Sequence, residues 1–388
     1  MTEDELAARR RLERAGRVVV KVGTRLLANR TGKPDAQRIE AIVSGISDLM
    51  REGREVLLVT SGAIGMGIDA LGWKTRPTNL PDLQMAAAVG QARLMTYYAE
   101  RFKKRRTTVG QVLLTHDILN NRSRHLNARN TVLNLLRHGV LPIVNENDVV
   151  AVDEIKVGDN DSLAALTTLL IDADVMVLLT TVNGLRAPST NGGTKRVAYL
   201  PKVGAAAKAL AKGSTSAISI GGMRTKLEAA ETVAAAGAMT VIADGRKSDM
   251  LRQVFSGVST GTLIGASLAE EQVRHSRKRW IAFFHRAQGT VVIDSGARCA
   301  LEEQGRSLLP IGIRGVRGSF ASGALVNIQT EDGVLVARGL SDYSSADIDR
   351  IKGLKTREIA AVLGTKDYDE VIHRDNMVVF AQENMKDG

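Results

Sequence analysis

The chain has 388 residues, which predicts at least two domains because a single hydrophobic core rarely serves more than about 250–300 residues. Its composition, 44% hydrophobic and 24% charged residues, is that of a globular protein, and its one cysteine excludes intramolecular disulfides. Of the net charge of +11, residues 274–388 carry little (17 Lys/Arg against 15 Asp/Glu), so +9 lies in the first 273 residues, where it favours attraction of anionic substrates.

The N-terminal segment, residues 1–16, is charged throughout and has no apolar stretch of the kind that a secretory signal needs. It is predicted to be a short leader helix or a frayed tail. No apolar run in the chain reaches the roughly 20 residues that span a membrane. With the single cysteine, this predicts a protein of the reducing cytoplasm.

From residue 17 to about 265, short β-branched runs alternate with Ala- and Leu-rich stretches of helical periodicity. Five runs are predicted to be buried parallel strands: 17–23, 55–62, 141–148, 174–184 and 238–245. Two of the clearest helical patterns are 38–53 and 225–237. This alternation predicts an α/β sandwich with a mostly parallel sheet, whose ligands bind beyond the carboxyl ends of the strands.

The ends of the first three predicted strands carry residues suited to anions and polar substrates. The first runs into Lys21, Gly23 and Thr24, the second ends in the sequence "TSGAIGMG" (60–67), and Asp148 ends the third. Glycines let backbone N–H groups approach an anion closely, although such turns also occur without a ligand. Neither the P-loop pattern nor the dinucleotide fingerprint is present.

Two further segments place polar residues before helices. In "GDND" (158–161), Asp159, Asn160 and Asp161 precede an apolar stretch, which predicts either a helix N-cap or a site for phosphate or metal. In "GGMRTK" (221–226), Lys226 lies in the first turns of a predicted helix, where a cation opposes the helix dipole. Its side chain therefore either serves a ligand or points to solvent.

The residue pattern changes after the basic stretch 274–279, which is predicted to belong to a linker. Residues 280–375 contain many glycines and short alternating runs, which predict a small β-barrel. Cys299, in an Ala-rich segment of this region, is predicted to be a small buried hydrophobe, with a catalytic thiol as the alternative.

Several motifs together resemble the glutamate 5-kinases of the amino acid kinase family. They are "VVVKVGTRLL" (18–27), "VTSGAIGMG" (59–67), "AAVGQARLM" (87–95), "HLNARNT" (125–131), "PIVNENDVV" (142–150), "EIKVGDNDSLAAL" (154–166) and "GGMRTKLEAA" (221–230). Residues 294–328 are similar to the PUA domain that follows the kinase domain in many bacterial members.

The resemblance implies an αβα sandwich followed by a small β-barrel-like PUA domain. It implies ATP-dependent phosphorylation of the γ-carboxylate of L-glutamate, with Mg²⁺ and with feedback inhibition by proline. The corresponding segments are a leader (1–16), a kinase domain (17–265), a linker (266–279), the PUA domain (280–375) and a tail (376–388).

The resemblance also assigns residues to roles. It implies that Lys21 and Lys226 flank the transferring phosphoryl group and that Asp161 orients the two lysines. The turn from Gly158 to Asp161 is then predicted to do both: it organises the substrate and the lysines, and it caps its helix. It implies a glutamate site in which Asp148 meets the α-ammonium, together with Ser61 and Asn160. The implied ATP-binding residues are Lys21, Gly23, Thr180, Thr181, Ile220, Gly221, Gly222, Met223, Arg224, Thr225 and Lys226. No protein ligand of Mg²⁺ is implied.

The chain departs from the family pattern at two nucleotide-side positions, since Thr181 replaces an acid and Ile220 replaces a threonine. A kinase of acetylglutamate, aspartate, carbamate or UMP would share Lys21 and the glycine turns, and the pair "NEND" and "GDND" favours free glutamate. The alternative from another class is an RNA-binding protein, which the near-neutral C-terminal region argues against. A homo-oligomer, dimer or tetramer, is expected.

Overall fold

The computed structural model describes residues 1–27, 34–115, 122–150, 160–189, 193–212, 222–265, 287–366 and 368–380. These residues form two compact units. Of the described residues, the first unit contains those up to 115 and 126–265, and the second contains 122–125 and those from 287 onward. In the described part of the chain, no helix is long and apolar enough to span a bilayer.

The first unit is organised around an eight-stranded sheet in the order β3-β4-β2-β1-β5-β9-β10-β8, and β6 and β7 form a separate two-stranded ribbon. The strands are β1 Arg17–Val22, β2 Glu55–Val59, β3 Val109–Leu114, β4 Leu141–Glu146, β5 Val175–Thr180, β6 Arg186–Pro188, β7 Thr194–Arg196, β8 Tyr199–Leu200, β9 Met239–Asp244 and β10 Thr262–Ile264. Only the β9–β10 pair of the large sheet is antiparallel. The predicted α/β sandwich with a mostly parallel sheet is confirmed.

The five runs predicted as buried strands are β1, β2, β4, β5 and β9. Almost every residue of these strands is inaccessible to solvent, which explains why they form continuous apolar runs instead of alternating ones. Strand β3 escaped prediction because its residues are only partly buried and it contains Gly110 and Gln111.

The helices of the first unit are α1 Glu3–Glu13, α2 Thr24–Leu27, α3 Ala36–Arg51, α4 Ala63–Ala70, α5 Leu80–Lys104, α6 Arg122–Arg137, α7 Asp161–Leu170, α8 Ala205–Lys212, α9 Gly222–Ala235 and α10 Met250–Val254. Helix α3 begins where Asp35 accepts a hydrogen bond from the Arg38 N–H, and α5 begins where Asn79 accepts one from the Asp82 N–H. Such caps satisfy N–H groups that a first helical turn leaves without a backbone partner.

The N-terminal segment contains a helix that is part of the first unit. Ala8 and Leu12 of α1 are buried in the same hydrophobic core as β1 and β2. Arg9 is 1% exposed, and its guanidinium donates to the Ala198 carbonyl and lies 3.5 Å from Glu5. Of the two alternatives predicted for residues 1–16, the helix is therefore the one that forms.

Helices α4 and α5 pack unusually closely because each helix has a glycine that faces the backbone of the other helix. A Cβ atom on Gly67 would lie 1.7 Å from the Ala86 carbonyl oxygen, and one on Gly90 would lie 1.8 Å from the Ala63 carbonyl oxygen. No side chain fits at such distances. The glycines of "TSGAIGMG" therefore have two uses: Gly62, with φ of 104°, forms the turn, and Gly67 permits helix packing rather than approach to an anion.

The second unit contains a five-stranded sheet in the order β12-β11-β13-β14-β15. Its elements are β11 Gly289–Ile293, α11 Ser295–Glu302, β12 Ile313–Arg317, β13 Leu325–Thr330, β14 Leu335–Leu340, α12 Ser345–Ile351, α13 Ile359–Leu363 and β15 Met377–Val379. Strands β11 and β13 pair in parallel and the other neighbours are antiparallel. This unit has its own hydrophobic core, which includes Val291, Ile328 and Ile348.

Cys299 lies on α11 and is partly exposed, so the prediction that it is buried is wrong. Its Sγ atom donates to the Glu303 carboxylate at 3.2 Å. That hydrogen bond, with a smaller contribution from burial, raises the pKa of the thiol above its ordinary value. Because the thiolate is the nucleophilic form, this environment disfavours a catalytic role.

Candidate active site

The predicted site residues come from the carboxyl ends of strands that are neighbours in the sheet. Lys21 lies near the end of β1, Ser61 follows β2, and Asn145 and Glu146 end β4. Helix α7 brings Asp161, and α9 brings Lys226. Since β4, β2, β1 and β5 are adjacent, their carboxyl ends meet at one edge of the sheet, where ligands of such folds bind.

Asp161 joins the two predicted lysines. Its Oδ1 accepts a hydrogen bond from Lys21 Nζ at 2.6 Å, and its Oδ2 accepts from Lys226 Nζ at 2.8 Å. Thr225 Oγ1 also donates to Oδ2, at 2.9 Å. All three charged groups are buried, and Asp161 is fully so. One carboxylate thus holds two ammonium groups whose residues are 140 and 65 positions away in the chain.

This cluster suits an anionic ligand. Two lysines and one aspartate leave an excess of one positive charge in a region from which water is largely excluded, where charge interactions are stronger than in bulk water. Lysine is a common phosphate ligand, acting as a point charge. Lys226, predicted either to serve a ligand or to point to solvent, points inward.

Asn160 precedes Asp161 but does not act as the predicted N-cap, because its side chain makes no capping hydrogen bond to α7. Its Nδ2 instead donates to the Thr60 carbonyl at 2.5 Å and to Asn145 Oδ1 at 2.8 Å. Asn145 in turn donates to Gln91 Oε1 at 2.8 Å. The prediction that this turn caps its helix is therefore wrong for Asn160. Gly158 and Asp159 lie outside the described residues.

An open cleft lies beside the cluster, and its enclosed volume is about 70 Å³. Its described lining consists of Thr24, Ser61, Gly62, Ala63, Ile64, Gly65, Arg76, Asn145, Glu146, Asp148 and Asn160. Asn160 and Thr24 connect it to the cluster, since they are close in sequence to Asp161 and Lys21. All three predicted glutamate-binding residues, Ser61, Asp148 and Asn160, line this one cleft.

The cleft combines two carboxylates with one guanidinium. Burial raises the pKa of Asp148 to about 6, the neighbouring Glu146 carboxylate adds to the increase, and the Arg76 guanidinium opposes it. At pH 7 Asp148 is therefore mostly ionised, and a cation near the two acids is favoured. Perturbed carboxylates in a cleft are typical of functional sites.

The predicted nucleotide-side residues lie at the ends of β5 and α9. Thr180 ends β5 and Thr181 follows it, and both are partly buried. Gly222, Met223, Arg224 and Thr225 form the first turn of α9, while Ile220 and Gly221 lie outside the described residues. The Arg224 side chain is exposed and pairs with Glu228 at 2.7 Å. Gly23 lies directly after β1, near Lys21.

Three residues that line or support the cleft were not predicted. Glu146 and Asn145 belong to the motif "NEND", and their position at the end of a buried strand was an available signal. Arg76 lies in the connection between α4 and α5, where its sequence context, "WKTRPTN", offers no signal. Only the folded chain brings it to the cleft.

A model of the amino acid kinase family matches residues 16–244, and a model of the PUA domain matches residues 289–363. The first match covers more than half of the chain. The chain therefore belongs to the amino acid kinase family. The second match coincides with the unit that contains β11–β14.

The curated relatives place it more narrowly. A glutamate 5-kinase from Moorella thermoacetica is 46% identical over 98% of this chain and 100% of its own length. Those from Syntrophotalea carbinolica and Chromohalobacter salexigens are 42% and 43% identical, over 95% and 98% of this chain and 98% and 100% of their own lengths. The chain thus belongs to the glutamate 5-kinase group of the family, which makes it a kinase.

Among solved structures, this chain is similar to a carbamate kinase from Giardia lamblia bound to AMP-PNP. The match covers 66% of this chain and 100% of the carbamate kinase chain. The two are 18% identical, and the TM-score is 0.47.

Proposed function

We propose that this protein transfers the γ-phosphoryl group of ATP to the γ-carboxylate of L-glutamate, which produces L-glutamyl 5-phosphate, the first intermediate of proline synthesis. The observation that carries the proposal is the buried Lys21–Asp161–Lys226 cluster beside a cleft lined by Asp148, Glu146 and Asn160. The relatives, named for this activity and similar over nearly their whole length, support the same substrate.

The reaction requires little proton chemistry. The γ-carboxylate is already ionised at pH 7, so one of its oxygens can attack the γ-phosphorus without a general base. The bond between that phosphorus and the oxygen that bridges to the β-phosphate breaks, and ADP leaves. What the protein must supply is in-line placement of the two reactants and stabilisation of the charge on the transferring group.

The lysine cluster is suited to that stabilisation. Lys21 and Lys226 each donate one hydrogen bond to Asp161, and both bring a positive charge to a largely buried place. Asp161 holds the two groups in place before the substrates arrive, and preorganised charge of this kind often contributes more to catalysis than any other single effect. In this scheme Lys21 and Lys226 contact the reacting group, and Asp161 is a positioning residue.

On the glutamate side, we assign the α-ammonium to Asp148, with Glu146 as a second nearby acid. Ser61 and Asn160 supply neutral polar groups to the same cleft. On the nucleotide side, Gly23, Thr180, Thr181 and the first turns of α9 are the proposed ATP contacts.

Mg²⁺ is expected with ATP, where it neutralises charge on the phosphates. Among the described residues, no group of three or more His, Cys, Asp or Glu side chains is arranged to hold a metal ion. Asp161, the buried acid of the cluster, is already engaged with both lysines. These residues do not form a protein-only magnesium site, and no step is assigned to the ion.

Three further expectations belong to this proposal. Proline, which carries an α-carboxylate and a cationic amine, is the expected feedback inhibitor, and the protein is expected to be a dimer or tetramer. The second unit is proposed to influence association or regulation, since the near-neutral charge of its sequence is poorly suited to RNA. A cytoplasmic location is supported by the single, unpaired cysteine.

The test is glutamate-dependent release of ADP, with the acyl phosphate trapped by hydroxylamine as the hydroxamate. Acetylglutamate, aspartate, carbamate and UMP serve as competing acceptors, and proline is added in a parallel series. Hydroxamate formation with glutamate well above the other acceptors is expected. A clear preference for another acceptor would overturn the proposed substrate while leaving the phosphoryl-transfer chemistry intact.

A further inference from the structure

The proposed substrate has one charged group for which the residues assigned so far provide no partner. Glutamate carries a γ-carboxylate, an α-ammonium and an α-carboxylate. The γ-carboxylate must approach the lysine cluster to be phosphorylated, and the α-ammonium is assigned to Asp148. The α-carboxylate enters the same cleft as two acids, Asp148 and Glu146, which repel it, so a cation is needed nearby.

Arg76 is the only cationic side chain among the described residues that line the cleft. It lies in the connection between α4 and α5, close enough to Asp148 to influence its pKa. Yet it forms no ion pair or hydrogen bond with any described residue, and its side chain is exposed. Its donors are therefore available to a ligand.

The chemistry of the guanidinium matches the unassigned group. Arginine presents a planar set of N–H donors that can bind a carboxylate through two parallel hydrogen bonds. An α-amino acid has its ammonium and α-carboxylate on one carbon, so a site for both needs an anionic and a cationic side chain next to each other. The Asp148–Arg76 neighbourhood at the cleft has that arrangement.

We propose that Arg76 binds the α-carboxylate of the substrate and thereby selects α-amino dicarboxylates with both α-substituents free. This inference rests on the proposed function, since it takes glutamate as the acceptor. The rival for the same carboxylate is the set of backbone N–H groups at the N-terminus of α4, where Ala63 and Ile64 also line the cleft.

The experiment compares Arg76→Gln and Arg76→Lys with Lys74→Gln in the full-length protein. Lys74 is an exposed cation of the same connection that does not line the cleft, so its substitution controls for the loss of one charge. In Arg76→Gln, KM for glutamate should rise by about 10- to 100-fold, the range expected for one lost charge-assisted contact, while KM for ATP and saturated kcat stay within about threefold. Arg76→Lys should be intermediate.

Two glutamate analogues, tested as competitive inhibitors, identify the group that is bound. Glutarate lacks the α-ammonium, and 4-aminobutyrate lacks the α-carboxylate. Arg76→Gln should weaken inhibition by glutarate and leave 4-aminobutyrate unchanged, and Asp148→Asn should do the reverse.

The possible failures are distinct. If the unsubstituted protein releases no ADP with glutamate, the proposed function itself is wrong. If it does, and Arg76→Gln behaves like Lys74→Gln, the α-carboxylate is held elsewhere, with the α4 backbone as the rival, and the inference about Arg76 falls. If Arg76→Gln weakened inhibition by glutarate and by 4-aminobutyrate equally, the inference about Arg76 would also fall. Such a result would indicate a general distortion of the cleft, which affects the α-ammonium and the α-carboxylate alike.

Discussion

The substitution Asp161→Asn tests whether one buried carboxylate holds the catalytic cluster together. The change keeps the shape of the side chain and removes its charge. At present Asp161 accepts hydrogen bonds from Lys21, Lys226 and Thr225 and is inaccessible to solvent. An asparagine has one acceptor oxygen, and its NH₂ group would face a donor on one of these partners.

The magnitude follows from the burial of both lysines. Removing one partner of a buried ion pair costs about 3–5 kcal/mol because it leaves an uncompensated charge, and here one carboxylate serves two ammonium groups. The free energy of unfolding of the first unit should fall by at least that range. Because the lysines are no longer held in place, kcat should fall by about 10²–10³, the size of losing one preorganised group.

A matched control comes from the loop after the same helix. Asp172 pairs with Arg129 at 2.7 Å, but both side chains are about one quarter exposed. Asp172→Asn should therefore cost only about 1 kcal/mol or less. It should also leave kcat unchanged, since Asp172 is not part of the cluster.

The assays are urea-induced unfolding and steady-state release of ADP with glutamate, for both variants and the unsubstituted protein. If Asp161→Asn were no less stable than Asp172→Asn and kept kcat within tenfold, the lysines would not depend on this carboxylate. The positioning role assigned to Asp161 would then be refuted.

Five further outcomes are expected. Lys226→Ala should lower kcat by about 10²–10³ with little change in KM for glutamate, and a normal kcat with a raised KM would contradict its role at the phosphoryl group. Because only ionised Asp148 pairs with an ammonium and its pKa is raised to about 6, affinity for glutamate should be present above pH 6 and decline as pH falls through 6. Asp148→Asn should raise KM for glutamate more than tenfold at pH 7 and abolish that decline, and a profile that keeps the same midpoint would assign it to another group. Gly67→Ala should destabilise the protein by about 1–3 kcal/mol or more, because the new Cβ atom would clash with the backbone of α5. Gly65→Ala is the control: its Cβ atom would meet nothing, so this variant should be neutral or slightly stabilising. Equal unfolding midpoints of the two variants would refute the packing argument. Finally, a truncated protein of residues 1–272 should fold alone and release ADP in the presence of glutamate. A truncation that folds but is inactive would show that the second unit contributes to the reaction.

The sequence by itself determined the architecture and the types of residue at the site. Five buried strands could be predicted because both faces of a parallel sheet are covered, which makes the sequence of each strand continuously apolar. Lys21, Asp161 and Lys226 could be selected because each departs from its local pattern: a lysine within a β-branched run, acids in series before a buried helix, and a cation near a helix N-terminus. Such departures are local, and the sequence displays them directly.

The tertiary structure decided which of these residues meet. The Asp161 contacts, the Gln91–Asn145–Asn160 chain and the arrival of Arg76 at the cleft all join segments far apart in sequence. A prediction from local sequence was wrong where a distant partner competed for the same side chain. Asn160 donates hydrogen bonds to the Thr60 carbonyl and to Asn145 instead of capping its own helix. Propensities describe a residue and its near neighbours, whereas these contacts depend on the strand order and on how closely α4 and α5 approach, and that geometry exists only once the whole unit has folded.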